Sequence, residues 1–504
     1  MIRKLASETA IYGGTTILVR LISYALTPLH VKVFAPESYG IISEFYTYAV
    51  AANVIYTYGM ETAFFRFASK KNADINQNFN TALSSLLCTS LFFSLVLYLF
   101  SKNIAIALGY PDGVIFVKWF SILFAVDAIV AIPFARLRLL QKPIRFATIK
   151  ILNGVLILLL NAFFLYFCRH IYEGKYLVEL KPFINSFYNP KLGLGYAFLA
   201  NLIANLMLIP LHYDSFLQLK FSLKLSKLKP FYLYGLPIMF SGLAFAINET
   251  ADRIFLKYWL PSNFYEGEPN QWAVGVYAAC YKLSIFITMA IQAFKYAAEP
   301  FFFSQAEDKN APKTYASILD YFIIFCCIVI VAVVANIHIL SMLLIPNEAY
   351  WIGLSIVPIL LFANLFQGVY YNLAVWYKVT DKTKYGAYMS GVGAIITILA
   401  NFLLIPVIGY LGSAWATLSC YFSISVISYL LGKKYYPINY DLSSSLKSLI
   451  LTVLAVLLIY YINESDFFME LLYKNLLVVF YLSLLLLVHK KKLYLFSKIR
   501  SNKA

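Results

Sequence analysis

Long apolar runs alternate with short polar connectors along the whole chain. Each run is about 20 residues long, which is the length that a helix needs to cross a hydrocarbon core about 30 Å thick. The pattern predicts an all-α integral membrane protein with about fourteen transmembrane helices. The predicted spans are residues 9–33, 40–64, 81–100, 114–135, 146–168, 193–213, 231–258, 273–297, 316–344, 351–376, 385–404, 409–431, 448–463 and 475–489.

The composition agrees with lipid as the main solvent of the chain. Of its 504 residues, 61% are hydrophobic and only 13% are charged, whereas a soluble domain has about 25% charged residues. The polar stretches between the apolar runs are too short for an extramembrane domain. The net charge of +17 comes mostly from Lys and Arg in the connectors, which is a pattern of membrane topology and not of a nucleic-acid-binding groove.

The distribution of Lys and Arg predicts the orientation of the chain. The connectors on one side, together with both termini, carry 28 of these residues, and the connectors on the opposite side carry 7. Because basic residues collect on the cytoplasmic side of a membrane, both termini are predicted to be cytoplasmic. An even number of spans agrees with that placement.

Two parts of the chain resemble each other. Residues 35–46 contain a Pro-containing turn, a Gly that opens the next helix, and a Tyr six residues further on, and residues 260–281 repeat this arrangement. Internal repeats of this kind are common in transporters. We therefore predict a first six-helix lobe at 1–215, a second at 216–431, and two additional helices with a basic tail at 432–504.

Charged and amide side chains inside the predicted spans are the candidate functional residues. A charge in the bilayer costs at least about 2.5 kcal/mol, so it is expected to face a partner or a water-filled cavity. Several of these residues share a helix face, three or four positions apart. The candidates for a substrate cavity are Arg20, Glu249, Asp252, Arg253, Lys282, Gln292, Asn364 and Gln367. The candidates for coupling to an ion are Glu44, Asp127 and Asp252.

The basic surplus among the charged candidates favours an anionic substrate. Arg suits phosphate oxygens because its planar guanidinium donates two parallel hydrogen bonds. Two other interpretations remain open: the charges hold helices together, or they lie near helix ends and reach the lipid headgroups. We expect the second of these for Lys257, Lys295 and Glu299.

The sequence contains no recognisable catalytic constellation. It has no nucleotide-binding P-loop, its five histidines are scattered, and its six cysteines lie in or beside apolar runs without a CxxC spacing. We therefore expect no enzyme activity, no metal and no resident cofactor. Coupling to a proton or sodium gradient is left open.

Several motifs resemble those of the polysaccharide-repeat flippases of the Wzx type. These flippases belong to the MOP superfamily, which also contains the MATE multidrug exporters and the lipid II flippase. The matching segments are residues 20–29, 36–40, 58–66, 234–237, 252–256 and 274–283. All of them lie in the first part of the chain, and beyond them only hydropathy and span number agree with the family.

The resemblance implies a V-shaped pair of six-helix lobes with a central cavity and alternating access. The implied cargo is an undecaprenyl-pyrophosphate-linked oligosaccharide, moved from the cytoplasmic to the periplasmic leaflet of the bacterial inner membrane in O-antigen and lipopolysaccharide biosynthesis. The implied partners are this substrate, membrane lipids, and a polysaccharide polymerase or chain-length protein, with no nucleic acid. On this interpretation Arg20, Arg253 and Lys282 hold the anionic head group.

Two other functions remain open. A multidrug or cation antiporter of the MATE type has the same fold, but a cavity for cationic drugs is expected to be acidic or apolar. A polysaccharide polymerase or ligase also has many spans and usually a large external loop. The longest external connector of this chain, about residues 169–192, is modest in length and mixed in charge.

Overall fold

The protein is all-helical over the residues that the structure describes, as the hydropathy pattern predicts. The computed structural model describes the backbone of residues 2–70, 73–305, 310–380 and 382–501, and the side chains of residues 11–70, 73–295, 310–380 and 382–489. In the interior of each helix the backbone N–H and C=O groups bond to each other, which is what the hydrocarbon of a bilayer requires.

Fifteen helices of at least twelve residues make up most of the described chain. In order they are α1 (Ile2–Val33), α2 (Pro36–Thr57), α3 (Ile75–Leu99), α4 (Val114–Leu139), α5 (Pro143–Ala162), α6 (Gly195–Leu206), α7 (Leu225–Trp259), α8 (Asn270–Tyr281), α9 (Ile285–Gln305), α10 (Ala311–Ala335), α11 (Ile356–Leu373), α12 (Lys384–Ile408), α13 (Tyr410–Tyr435), α14 (Leu442–Tyr461) and α15 (Phe467–Ser501). Shorter helices lie between them, among them Met60–Ala68, Ser101–Ala107 and Ile337–Leu344.

Twelve helical stretches in the described residues are long and apolar enough to cross a membrane. Each of them falls on one of the fourteen predicted spans, and the chain is therefore a multi-pass membrane protein. The other two predicted spans fall on α2, which is not among the twelve, and on the shorter apolar stretch Gly195–Leu211. The count of fourteen and the cytoplasmic placement of the termini stay predictions.

The helices form two compact units. The first contains Met1–Tyr258 and Tyr265–Gly275, and the second contains Trp259–Phe264 and Val276–Ala504. All of α7 except its last residue therefore lies in the first unit. The lobes predicted from the internal repeat, with their boundary at residue 215, stay a prediction.

The first unit has an aromatic interior beside the start of α2. The ring centre of Phe45 lies 5.2 Å from that of Phe198, 5.4 Å from that of Phe120 and 5.7 Å from that of Tyr110. Aromatic pairs at these separations add to the free energy gained from burying their area. They hold α2, α4, α6 and the connector between α3 and α4 together, which fixes the surroundings of the neighbouring residue Glu44.

In the second unit, the last two helices pack on α10. The side-chain amides of Asn336 and Asn475 donate to each other at 3.2 and 3.1 Å, which joins the end of α10 to α15. Thr452 of α14 and Tyr481 of α15 share a hydrogen bond of 2.8 Å. Neutral hydrogen bonds between helices therefore attach α14 and α15 to the rest of this unit.

Candidate functional site

Helix α2 begins directly after a residue with an extended backbone. Ala35 has φ −67° and ψ 160°, and Pro36 is the first residue of the helix, where its missing N–H costs nothing and its fixed φ suits the helix. Glu44 lies two turns later and is fully buried. A buried carboxylate is tolerated only where donors satisfy its oxygens, so the partners of Glu44 define the first candidate site.

Three side chains donate hydrogen bonds to Glu44. The ammonium of Lys257, on α7, lies 2.5 Å from Oε1, and the hydroxyl of Tyr48 lies 2.7 Å from the same oxygen. The hydroxyl of Tyr110, in the connector between α3 and α4, lies 2.5 Å from Oε2. Both carboxylate oxygens are therefore satisfied inside the first unit.

The ammonium of Lys257 also has several partners besides Glu44. The residue is 7% exposed, it donates a second hydrogen bond to the carbonyl of Leu108 at 2.5 Å, and its ammonium lies 4.2 Å from the centre of the Tyr110 ring. The expectation that Lys257 reaches the lipid headgroups is therefore wrong. The reason is that Glu44, on another helix, supplies a carboxylate that the spacing of residues along α7 cannot reveal.

Asp252 and Arg253 form a second buried ion pair one turn earlier on α7. The guanidinium Nη1 of Arg253 lies 2.9 Å from Oδ1 of Asp252, and the same oxygen accepts the backbone N–H of Arg253 at 2.9 Å. Nη1 also donates to the backbone carbonyl of Glu249 at 3.2 Å. A substrate anion at Arg253 would have to compete with the carboxylate of Asp252.

Arg20 has different surroundings. Its side chain is exposed on α1, and it makes no hydrogen bond or ion pair with the residues that the structure describes. A cation within an apolar span is costly in hydrocarbon unless it meets water, a ligand or a partner. Arg20 is therefore the predicted cavity residue whose charge is most readily available to a substrate.

Asp127 belongs to a separate network that joins three helices of the first unit. Its Oδ1 accepts the side-chain amide of Asn205, on α6, at 2.8 Å. The amide oxygen of Asn205 in turn accepts the side chain of Asn153, on α5, at 3.0 Å. Carboxylate and amide oxygens of this kind can hold a proton or a small cation, so the network suits the ion-coupling role predicted for Asp127.

Two of the predicted cavity residues of the second unit, Lys282 and Gln292, are half-buried. Lys282 opens the short turn between α8 and α9, and Gln292 lies two turns into α9. The ammonium of Lys295, one turn further, lies 3.6 Å from the centre of the Tyr371 ring, a cation–π contact. Glu299 lies outside the residues whose side chains the structure describes.

The other two cavity candidates of the second unit lie on one face of α11. Gln367 donates to the hydroxyl of Tyr421, on α13, at 2.8 Å. Asn364 is 1% exposed, and its side-chain amide nitrogen has no hydrogen-bond partner among the described residues. A buried donor without a partner costs about 1–3 kcal/mol, and a functional role is one explanation for such a group.

The structure adds residues that the sequence analysis did not single out. Tyr48 lies four residues after Glu44 on the same helix, a spacing at which helix side chains meet, and this signal was present in the sequence. Tyr110 and the carbonyl of Leu108 lie in a connector, and nothing in their spacing predicts that they close the surroundings of Lys257.

Solved structures with the same fold are membrane transporters. One is described as "Lipid II flippase MurJ, inward closed conformation", with a TM-score of 0.70 and 15% identity over 96% of this chain and 99% of that one. Another is an inward-facing multidrug resistance MATE family transporter of the MOP superfamily, with a TM-score of 0.61 and 12% identity over 84% of this chain and 94% of that one. At these identities the similarity establishes the fold.

Sequence comparison identifies the family. No curated protein gives a significant match to the chain. The family model described as "Polysaccharide biosynthesis protein" matches residues 5–306, a region that includes every segment in which we found a family resemblance. Because that match covers more than half of the 504 residues, the chain belongs to the family of polysaccharide biosynthesis proteins.

Proposed function

We propose that the protein is a flippase that moves a lipid-linked oligosaccharide across the bacterial inner membrane for surface polysaccharide biosynthesis. The cargo is a chain of sugars joined through a diphosphate to an undecaprenyl lipid, as in O-antigen repeat units. Two findings support this proposal. The family acts in polysaccharide biosynthesis, and the fold, over nearly all of the chain, is that of a lipid II flippase.

The observation that carries the proposal is the charge of Arg20. A guanidinium that is exposed within an apolar span and has no partner among the described residues suits the oxygens of a diphosphate, which it can bind through two parallel hydrogen bonds. Arg253 and Lys282 are further candidates for the same head group, although Arg253 is already paired with Asp252. The binding of a cationic drug would gain nothing from Arg20, and the MATE-type antiporter is therefore the weaker alternative.

Asp127, Glu44 and Asp252 remain our candidates for coupling transport to a proton or sodium gradient. Among them, Asp127 accepts its hydrogen bond from the neutral amide of Asn205 and interacts with the cation of Lys150 without a direct ion pair, whereas Glu44 and Asp252 are each in direct contact with a cation. A carboxylate that is not held in a direct ion pair is better suited to exchange its proton or a cation. We therefore place Asp127 first.

The test uses spheroplasts from cells in which the protein is depleted and replaced by a variant. With Arg20→Ala, we expect lipid-linked oligosaccharide to accumulate and to stay hidden from an impermeant lectin or glycosidase added outside. Arg20→Lys keeps the charge and should retain part of the transport, and Lys191→Ala, at an exposed cation in the external connector, should behave as wild type.

Other outcomes would overturn the proposal. Accumulated substrate that the external lectin reaches would place the block after translocation, as for a polymerase or ligase. Unchanged lipid-linked sugar together with a fall in drug efflux would favour the MATE-type antiporter. Normal transport by Arg20→Ala would remove Arg20 from the binding site.

A further inference from the structure

An open cavity of about 460 Å³ lies where α3 ends and α4 begins. It is formed by these two helices and the connector between them, so all of its lining belongs to the first unit. Its volume falls within the range of about 300–1,000 Å³ that is usual for sites of small ligands. None of the candidate residues discussed above lines it.

The connector folds back onto α4 and thereby shapes the cavity. Its short helix, Ser101–Ala107, buries Ser101 and Ala105, which lie four residues apart and therefore share one face. The backbone N–H of Tyr110 then donates to the carbonyl of Ala105 at 2.8 Å, which closes the turn after this helix. Lys102 of the short helix is left exposed at the cavity.

The other side of the connector is fastened to the first candidate site. The hydroxyl of Tyr110 donates to Glu44, and the carbonyl of Leu108 accepts from Lys257, each at 2.5 Å. Both contacts join the connector to buried groups of α2 and α7. The wall of the cavity is therefore held in place by the protein itself, which lowers the entropic cost of binding a ligand there.

Two lysines line the cavity, and neither has an acidic partner among the described residues. Lys102 is exposed, and Lys118 is a half-buried residue near the beginning of α4. The ammonium of Lys118 lies 4.9 Å from the centre of the Tyr98 ring, a cation–π contact that leaves its N–H donors for another partner. Asp112, in the same connector, forms no ion pair with either lysine. The cavity is therefore positively charged.

Membrane topology does not account for these two lysines. The connectors predicted to be external carry 7 Lys and Arg residues, against 28 in the opposite connectors and the termini, and Lys102 is one of the seven. Lys118 lies inside the predicted span 114–135, where a charge is costly unless it meets water, a ligand or a partner. Two cations at one cavity, on the side where cations are few, indicate that the cavity binds an anion.

The rest of the lining is apolar or carries hydroxyl groups. Leu99, Ile106 and Val114 form an apolar wall, and Leu99 and Ile106 are more than half exposed. The hydroxyls of Tyr98 and Ser101 belong to the same lining, and neither makes a hydrogen bond with the described residues. The cavity thus offers cations and hydroxyl donors beside a hydrocarbon surface.

The depth of the cavity indicates which anion has this mixed character. It lies where the predicted span 81–100 ends and the predicted span 114–135 begins, which is the level of the lipid head groups. A lipid phosphate is charged at one end and apolar at the other, and both parts match the lining. A free anion would gain nothing from the apolar wall.

We propose that this cavity binds the phosphate group of a membrane lipid in the outer leaflet. The ammonium groups of Lys102 and Lys118 donate to the phosphate oxygens, as lysine does in other phosphate sites, and the first part of the hydrocarbon chain lies against Leu99 and Ile106. Two kinds of lipid share this chemistry: an ordinary anionic phospholipid and a polyprenyl diphosphate. The site is separate from Arg20, and it does not rest on the transport function proposed above.

The test measures lipid binding to the purified full-length protein by native mass spectrometry. Phosphatidylglycerol and undecaprenyl diphosphate are titrated separately. The double variant Lys102→Gln with Lys118→Gln should weaken binding about tenfold or more for the lipid that occupies the cavity, because charge-assisted hydrogen bonds are strong. The titrations are repeated in an Arg20→Ala background, so that binding at the proposed substrate site does not mask the result.

The matched control is Lys32→Gln with Lys191→Gln. These two lysines are exposed on the side of the first unit that is predicted to be external, but they do not line the cavity. The control removes the same charge and should leave lipid binding unchanged. Ile106→Ser keeps both lysines of the cavity and should weaken binding several-fold, because the hydrocarbon chain loses part of its apolar contact.

Weaker binding of phosphatidylglycerol by the double variant identifies an ordinary phospholipid as the occupant, and weaker binding of undecaprenyl diphosphate identifies a polyprenyl carrier. Either result supports the site. The proposal is overturned if the double variant binds both lipids as the wild type does, or if the control loses as much affinity, since binding would then follow the overall charge. Full affinity in Ile106→Ser would also overturn it, since the occupant would then be an anion without a chain. None of these measurements involves transport, so a failure here leaves the spheroplast test of the proposed function unaffected.

Discussion

The interiors of the two compact units differ in the polar groups that they bury. In the first unit, α2 and α7 are joined by the buried pair Glu44–Lys257, and Asp252 pairs with Arg253. In the second unit, neutral hydrogen bonds join the helices, such as those of Gln367 with Tyr421, Asn336 with Asn475 and Asn401 with Ser413. Two buried ion pairs thus lie in the first unit, beside neutral hydrogen bonds such as that of Asn205 with Asn153.

This difference indicates different mechanical roles. A neutral hydrogen bond contributes about 1 kcal/mol to stability. Because neither partner is charged, a nearby ion competes with it only weakly. A buried ion pair contributes little more than an apolar pair of the same volume, yet either ion becomes costly when it loses the other. The contacts of the second unit are therefore suited to a permanent joint, whereas those of the first unit respond to a competing charge.

The largest effect on stability is expected from breaking the ion pair between Glu44 and Lys257 in the first unit. Lys257→Met leaves the carboxylate of Glu44 buried without its cation, which should lower the free energy of unfolding by about 3–5 kcal/mol. Adding Glu44→Gln should restore most of that loss. The comparison variant in the second unit is Lys474→Met, since Lys474 pairs with Glu470 in a partly exposed position, where a pair is worth about 0–1 kcal/mol.

Thermal unfolding of the purified variants in lipid nanodiscs measures both effects. If Lys257→Met lowers the melting temperature no more than Lys474→Met does, the two ion pairs do not differ in the way described. Glu44 would then not depend on Lys257 for its burial.

A smaller effect is expected within the neutral network of the second unit. Gln367→Leu removes the hydrogen bond to Tyr421 and should cost about 1 kcal/mol of stability. Asn364→Leu removes an amide nitrogen that has no partner among the described residues and should change stability less. Transport of lipid-linked sugar should nevertheless fall in Asn364→Leu if its amide serves the substrate. A loss of stability equal to that of Gln367→Leu would show that Asn364 has a structural partner instead.

The smallest effect is expected at the surface. Lys175 and Arg169 beside Glu173 lower the pKa of its carboxyl to about 2. Because this pKa is depressed on folding, the stabilisation is present above the unfolded pKa of about 4.5 and is lost as the pH falls towards 2. The side chain of Glu173 is 32% exposed, so Glu173→Gln should cost only a few tenths of a kcal/mol.

Melting temperatures of wild type and Glu173→Gln, measured at intervals between pH 7 and pH 2.5, should differ slightly at the upper end and converge at the lower end. A difference that grows as the pH falls would contradict the direction of the shift.

Hydropathy predicted the helical class and the position of nearly every long helix, because the bilayer imposes one length and one kind of surface on each span. The predicted spans also showed which charged residues lie within the membrane-spanning segments. Hydropathy did not predict their partners, because contacts such as Glu44 with Lys257 join residues 213 positions apart. Arg253 illustrates the same limit, because the spacing of charged residues along α7 does not reveal that its guanidinium pairs with the adjacent Asp252.

The low hydropathy of α2 has a consequence for how the protein reaches the membrane. This helix carries Glu44, Tyr48 and Asn53 and is not among the twelve stretches that are apolar enough to span a bilayer. A segment with a buried acid is disfavoured by the translocon when it is presented alone. During synthesis α2 emerges early, whereas Lys257 emerges more than two hundred residues later. We expect α2 to depend on α1 for its initial insertion and to settle in place only when α7 arrives.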